Sequence, residues 1–121
     1  MNNTSKSRIE QGMNCLRKET GDIIFTCLAF HHFTVASTSD ESWAKPLVYL
    51  ARIHLQMGTI NDARKLLKST LSLKQSARNR PYVKLAKELL DVSMCKSATE
   101  RSELLHDLHI DKRLDDLHAE D

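Results

Sequence analysis

Apolar residues recur three and four places apart along most of this chain, the spacing of amphipathic helices rather than strands. Ile9, Met13 and Leu16 form a first stripe and predict a helix over about 5–20, with Gly21 as its stop and Asp22 capping the next. Residues 23–36 are apolar with scattered Thr and His and suit a buried strand or a helix. With no second strand to pair with, the helix is taken, followed by a loop over 37–42. Leu47, Leu50, Ala51, His54 and Leu55 predict a third helix, from Ser42–Trp43 to Met57, that ends at Gly58. Pro46 is tolerated in its first turn, where the missing N–H has no helical acceptor anyway. Ala63, Leu66, Leu67, Thr70 and Leu71 give a fourth helix starting at Asn61 or Asp62. A polar turn over 74–80 leads to a fifth helix from Pro81 to about Lys96. Ser97 and Glu100 form a capping box for a sixth helix carrying Leu104, Leu105 and Leu108. Ile110, Leu114 and Leu117 are spaced to cover the end of the stack, as an extension of that helix or a short seventh one.

Two of these stripes are near copies. Pro46, Val48, Leu50, Ala51 and Leu55 return as Pro81, Val83, Leu85, Ala86 and Leu90, an offset of 35 residues. Arg52 is matched by Lys87, and Ala63 by Ala98 at the same offset. A fixed period of this size belongs to helical repeat arrays, in which each helix pair buries its face against the next.

The series Leu47, Leu50, Ala51, His54, Gly58, Ala63, Leu67, Thr70 resembles a tetratricopeptide repeat, with small residues where paired helices approach closely. The family's usual Trp, Tyr and closing Pro are here Leu47, His54 and Gln75. The second copy, Tyr82, Leu85, Ala86, Ala98, has Ser93 in place of the glycine. The resemblance covers residues 44–108 and extends to 5–36 only by inference, with Gly12 as the small residue. It implies an all-α fold of antiparallel helix pairs stacked as a short right-handed superhelix, about six to seven helices in one domain. In that domain 5–36 is a degenerate pair, 43–73 the best-matching repeat, 80–109 the second repeat, and 110–121 an acidic capping segment or tail. The resemblance further implies that the first helix of each pair lines a concave groove. Carried over, Lys45, Val48, Arg52 and Gln56 line it from one repeat, and Arg80, Val83, Lys87 and Asp91 from the next. The family's clamp for chaperone tails is not expected, because Ile9, Met13 and Tyr49 stand where it needs Lys and Asn.

Charge sharpens the expected partner. Residues 44–87 hold ten Lys/Arg and one acid, whereas 98–121 hold eight acids and three bases, so a +9 middle precedes a −5 end. Such asymmetry bears on partners rather than on fold. Lys45 and Arg52, and likewise Arg80 and Lys87, are seven apart and share a helical face. The acidic end can dock on this basic surface in the same chain or in a neighbour, or it can cap the stack with its acids in water.

Signals for chemistry are sparse. The three cysteines lie far apart without a CxxC pair and read as reduced thiols of an intracellular, cytoplasmic or nuclear protein, Cys27 and Cys95 as core residues. No apolar stretch follows the basic residues near the start, so no signal peptide is expected, and the apolar run 23–36 is too short and too polar to span a bilayer. His106 and His109, near Asp107 and Asp111, have a spacing that permits a metal on a helix face, but the signal is weak and no helix-borne HExxH is present. His31 and His32 read as one surface and one core residue, and Trp43 as a packed helix-start aromatic. No catalytic grouping, cofactor or metal is expected. The sequence points to a non-enzymatic adaptor or scaffold that binds an acidic or amphipathic protein segment in its groove. The alternatives are a module binding nucleic-acid phosphates, which 5% aromatic content makes unsuited to base stacking, or the terminal fragment of a larger array.

Overall fold

The computed structural model describes residues 3–17 and 23–120. They form seven α-helices and no strand: α1 (Asn3–Arg17), α2 (Ile23–Ser39), α3 (Ala44–Met57), α4 (Ile60–Ser72), α5 (Arg80–Val92), α6 (Ala98–Asp107) and α7 (Ile110–Glu120). The expected stop at Gly21 and cap at Asp22 lie outside the described residues. α1 packs along α2 and α3 along α4, with α2 against α3 and α4 against α5.

The ambiguous segment is a helix because its buried residues follow a helical stripe. Ala29, Phe33 and Ala36 are spaced four and three apart and fully buried. They share one core with Ile9 and Met13 of α1, and Phe33 lies against Gly12. At Gly12 a methyl group would stand 2.6 Å from the Phe33 ring, so only glycine admits this approach. The stripe ends early in α1, because Leu16 is 38% exposed. The loop expected over 37–42 begins later. Thr34 and Thr38 donate their hydroxyls to carbonyls one turn back, and the helix runs on through Ser39.

Tyr49 of α3 stacks on Phe33 at 4.7 Å, and His54 meets Phe30 edge-on at 5.1 Å, so aromatic contacts join the first helix pair to the second. Ala51 and Ala63 are fully buried, as their role in close packing requires. Gly58 has φ +83°, a left-handed value at which its N–H and that of Thr59 close the end of α3, and two residues suffice before α4. In the second repeat Ser93 stays right-handed at φ −65°. The chain then takes five residues, 93–97, to reach α6, and the α5–α6 pair opens. Ala86 is buried but Ala98 is exposed, which corrects the expectation that Ala98 pairs closely with it. The capping box is present in part, with the Glu100 N–H donating to Ser97 Oγ at 3.1 Å.

The start of α3 is held from a distance. Trp43 offers no side-chain cap, and the Ala44 N–H donates instead to Asn79 Oδ1 at 2.8 Å, across 35 residues. Asn79 Nδ2 donates to the carbonyls of Ser42 and Lys74 at 2.8 and 3.2 Å. Arg78 beside it forks onto Asp40 at 3.0 and 3.3 Å and reaches Ser42. These bonds hold Asp40 below its ordinary carboxyl range, the Arg78 hydrogen bond being the largest cause.

Asn79→Ala leaves a helix-start N–H and two carbonyls without their partner, and is expected to lower unfolding stability by about 1–3 kcal/mol in urea titrations. Gly12→Ala gains helix propensity but overlaps Phe33. The overlap outweighs the gain, with an expected net loss of about 1–2 kcal/mol by the same measurement.

Candidate helix-binding trough

The face built by α1, α3 and α5 carries an amphipathic helix, the chain's own α7. Ile110 and Leu114, one turn apart, are 0% and 2% exposed, and Leu117 packs at the margin of the same core. Burying two such side chains is worth about 1.5–3 kcal/mol each. Polar contacts surround this apolar seam and reach three helices. Arg52 of α3 forks onto Asp111, Nε to Oδ1 at 2.9 Å and Nη2 to Oδ2 at 3.0 Å. Tyr49 donates its hydroxyl to the Leu114 carbonyl at 3.4 Å. Arg113 forks onto Glu88 of α5, with one N–H···O contact at 3.1 Å. His118 joins Glu10 of α1 at 2.7 Å to Lys45 of α3 at 2.9 Å. An ammonium group only donates, so His118 Nδ1 accepts from Lys45 and the Nε2 proton points at the Glu10 carboxylate.

The Arg113 hydrogen bond is the largest cause holding the Glu88 carboxyl below its ordinary 4.5. Both partners are about one-third exposed, so the pair adds little stability, and the same holds for Arg52 with the well-exposed Asp111. The apolar seam therefore supplies the hold, and the ion pairs fix the register of α7.

The expected groove residues separate into three groups. Lys45, Val48 and Val83 are buried with α7 in place, a correction to their expected position on an open groove. The Lys45 ammonium lies 5.6 Å from the Trp43 ring centre and 5.8 Å from that of Tyr82, beneath α7. Arg52 faces the trough but is engaged by Asp111, with exposed Gln56 accepting weakly from it at 3.4 Å. Arg80, Lys87 and Asp91 are exposed on α5, in a row that includes Lys84. The −5 segment divides likewise: Asp111 reaches the basic surface, while Asp107, Asp115 and Asp116 face solvent.

Glu10, Glu88, Arg113 and His118 escaped sequence reasoning. Each is an unremarkable surface-type residue until α7 crosses the three helices. The one signal was the apolar spacing of Ile110, Leu114 and Leu117. Trp43 is buried at the start of α3, as expected, with Arg78 over its ring at 5.7 Å. Cys27 is exposed and Cys95 half-buried, so neither is the core thiol expected; all three cysteines are free. His31 is exposed and His32 half-buried, receiving Arg8 at 2.9 Å. Burial, then the charge of Arg8, lowers the pKa of His32. The His106 and His109 rings stand 6.4 Å apart, and among the described residues no three His, Cys, Asp or Glu gather as a metal would need. No described helix is long and apolar enough to cross a membrane. Comparisons with protein-family models, curated proteins and solved structures found no match.

A depressed carboxyl stabilises above its unfolded value, and that contribution is lost as pH falls. On acidification below about 4.5 the Glu88–Arg113 tie is expected to loosen, raising hydrogen exchange in α7 before the α1–α2 pair. Glu88→Gln is expected to remove that pH-dependent step.

Proposed function

We propose that this chain is a non-enzymatic protein-interaction module, an intracellular adaptor of tetratricopeptide type. Its partner is an amphipathic helical segment with an acidic start, bound in the trough lined by α1, α3 and α5. The observation that carries the reading is α7 itself, a helix of that chemistry resting in that trough. Helix-in-groove recognition uses apolar anchors one turn apart, as Ile110 and Leu114 are placed here. The basic residues of α3 and α5 favour an acidic ligand and speed its approach. α7 then acts as an internal competitor, present at high effective concentration until a stronger segment displaces it. The exposed row of Arg80, Lys84 and Lys87 also favours a second reading, in which this basic face contacts nucleic-acid phosphates.

The test uses the full chain carrying Leu114→Asp, which sets a carboxylate in the apolar seam and unseats α7. A labelled peptide of residues 109–120 is expected to bind this variant and not the wild type, by fluorescence anisotropy. Adding Arg52→Glu is expected to weaken binding about threefold to tenfold, the lost ion pair compounded by repulsion of Asp111. A folded Leu114→Asp variant that ignores the peptide sinks the helix-binding reading. Oligonucleotide binding with a steep salt slope supports the phosphate reading instead.

A further inference from the structure

Beside the seat of α7, between the end of α3, α6 and the start of α7, lies a cavity of about 510 Å³. Its lining is cationic. Arg52, Arg101 and Lys112 border it together with the imidazoles of His106 and His109. The only acid in the lining is Asp111, and its two oxygens already receive the Arg52 fork. One lining residue is left unsatisfied. Arg101 is half-buried, and its Nε is buried without a hydrogen-bond partner. No carboxylate among the described residues pairs with it.

The position of Arg101 has a partial explanation within the fold. A methyl group at Gly58 would stand 3.9 Å from Arg101 Nη2, so the guanidinium rests against the last turn of α3. The negative end of a helix attracts a cation there. That attraction supplies no acceptor to Nε, but this atom is closed to the cavity, so it is the charge of the guanidinium that bears on the site. A guanidinium is also built to meet an oxyanion with two parallel N–H groups.

We infer that this cavity is a binding site for a compact anion carrying two or more charges on phosphate or carboxylate oxygens. Arg101 is its principal ligand, with Lys112 and the Arg52 edge completing the positive wall. The cavity is of the size that small-molecule sites occupy. Its lining contains no Phe, Tyr or Trp, so it reads the charged group and has no platform for a nucleobase. Leu55, Leu105 and Ile110 contribute apolar side chains to its lining. The site lies beside the trough and takes Ile110, Asp111 and Lys112 from α7, so it belongs to the state in which α7 is seated.

The full wild-type chain is titrated with inorganic pyrophosphate and, separately, with citrate, at ionic strength held constant with sodium chloride. Heat is read by calorimetry, and backbone amides by nuclear magnetic resonance. Saturable one-to-one binding is expected, with shifts centred on residues 101–112. Arg101→Gln is expected to weaken it at least tenfold. Lys65→Gln, an exposed change on α4 outside the cavity, is expected to leave it unchanged. The stronger of the two arms tells phosphate from carboxylate. Absence of saturable binding in both arms overturns the site. Equal weakening by Arg101→Gln and Lys65→Gln also overturns it, because diffuse surface charge then accounts for the effect. If Arg101→Gln loses its helical circular dichroism, Lys112→Gln decides: undiminished affinity there overturns the proposal.

Discussion

One buried amide sets the frame on which the rest is placed. Asn79 is 1% exposed and uses both ends of its side chain, accepting from the Ala44 N–H and donating to the Ser42 and Lys74 carbonyls. In the interior these bonds must all be made, since an unpaired partner has no water to turn to. The amide therefore admits one arrangement of the α2–α3 and α4–α5 connections. The start of α3 is fixed against the start of α5, and with it the direction of both helices. The trough exists because those two helices run side by side under α7. Arg78 and Asp40 reinforce the same joint from its solvent side, where salt weakens them and the amide is unaffected.

Above that frame the chain shows a division of labour between apolar and charged contacts. α7 is held by Ile110 and Leu114, whose burial outweighs any of its surface ion pairs. Yet apolar contact alone would leave the helix free to slide or reverse. Arg52 with Asp111 near its start, Arg113 with Glu88 in its middle, and His118 with Glu10 near its end pin it at three points. The first two points are ion pairs of opposite polarity, acid on α7 at Asp111 and base on α7 at Arg113, and the third is a hydrogen-bonded bridge through a neutral imidazole, so a reversed helix would carry Asp111 toward Glu10 and set like charges together. Specificity of pose thus comes from contacts that add little to stability.

Much of the helical frame could be read from the sequence, because helix ends are local chemistry. Gly58 ends α3 and Ser97 caps α6 for reasons contained within a few residues. The extension of α2 was hidden because Thr34 and Thr38 satisfy their own hydroxyls, against the usual preference of such residues for loops. Exposure was harder to foresee. Ala98 looks like a close-packing residue by its offset from Ala63, but its packing depends on a tight turn that Ser93 does not make. Lys45 shows the limit most clearly. Its charge and spacing place it on a surface, yet it is buried beside the Trp43 and Tyr82 rings and bonded to His118, 73 residues further on. Of the candidate site, Arg52 was legible as a groove residue. Its occupant was only one of two readings for the acidic end, since periodicity shows that a helix has an apolar face and not what that face meets.

The charge asymmetry is only partly resolved within the molecule. α7 brings Asp111 to the basic surface, but it also carries Arg113 to Glu88, so its docking neutralises few of the cations between residues 44 and 87. Arg80, Lys84 and Lys87 keep their place in solvent on α5 while Asp115 and Asp116 face outward on α7. An acidic helix selected only to cover a basic trough would place its acids over those cations. The observed arrangement spends its charges on register at a few points and leaves the larger field intact. That field still acts over a Debye length of about 8 Å at physiological salt, so a docked α7 does not cancel the attraction of the α5 row for negative charge. The closure of the trough and the positive field beside it are therefore separable, the first governed by the apolar seam and the second by cations that the seam does not touch.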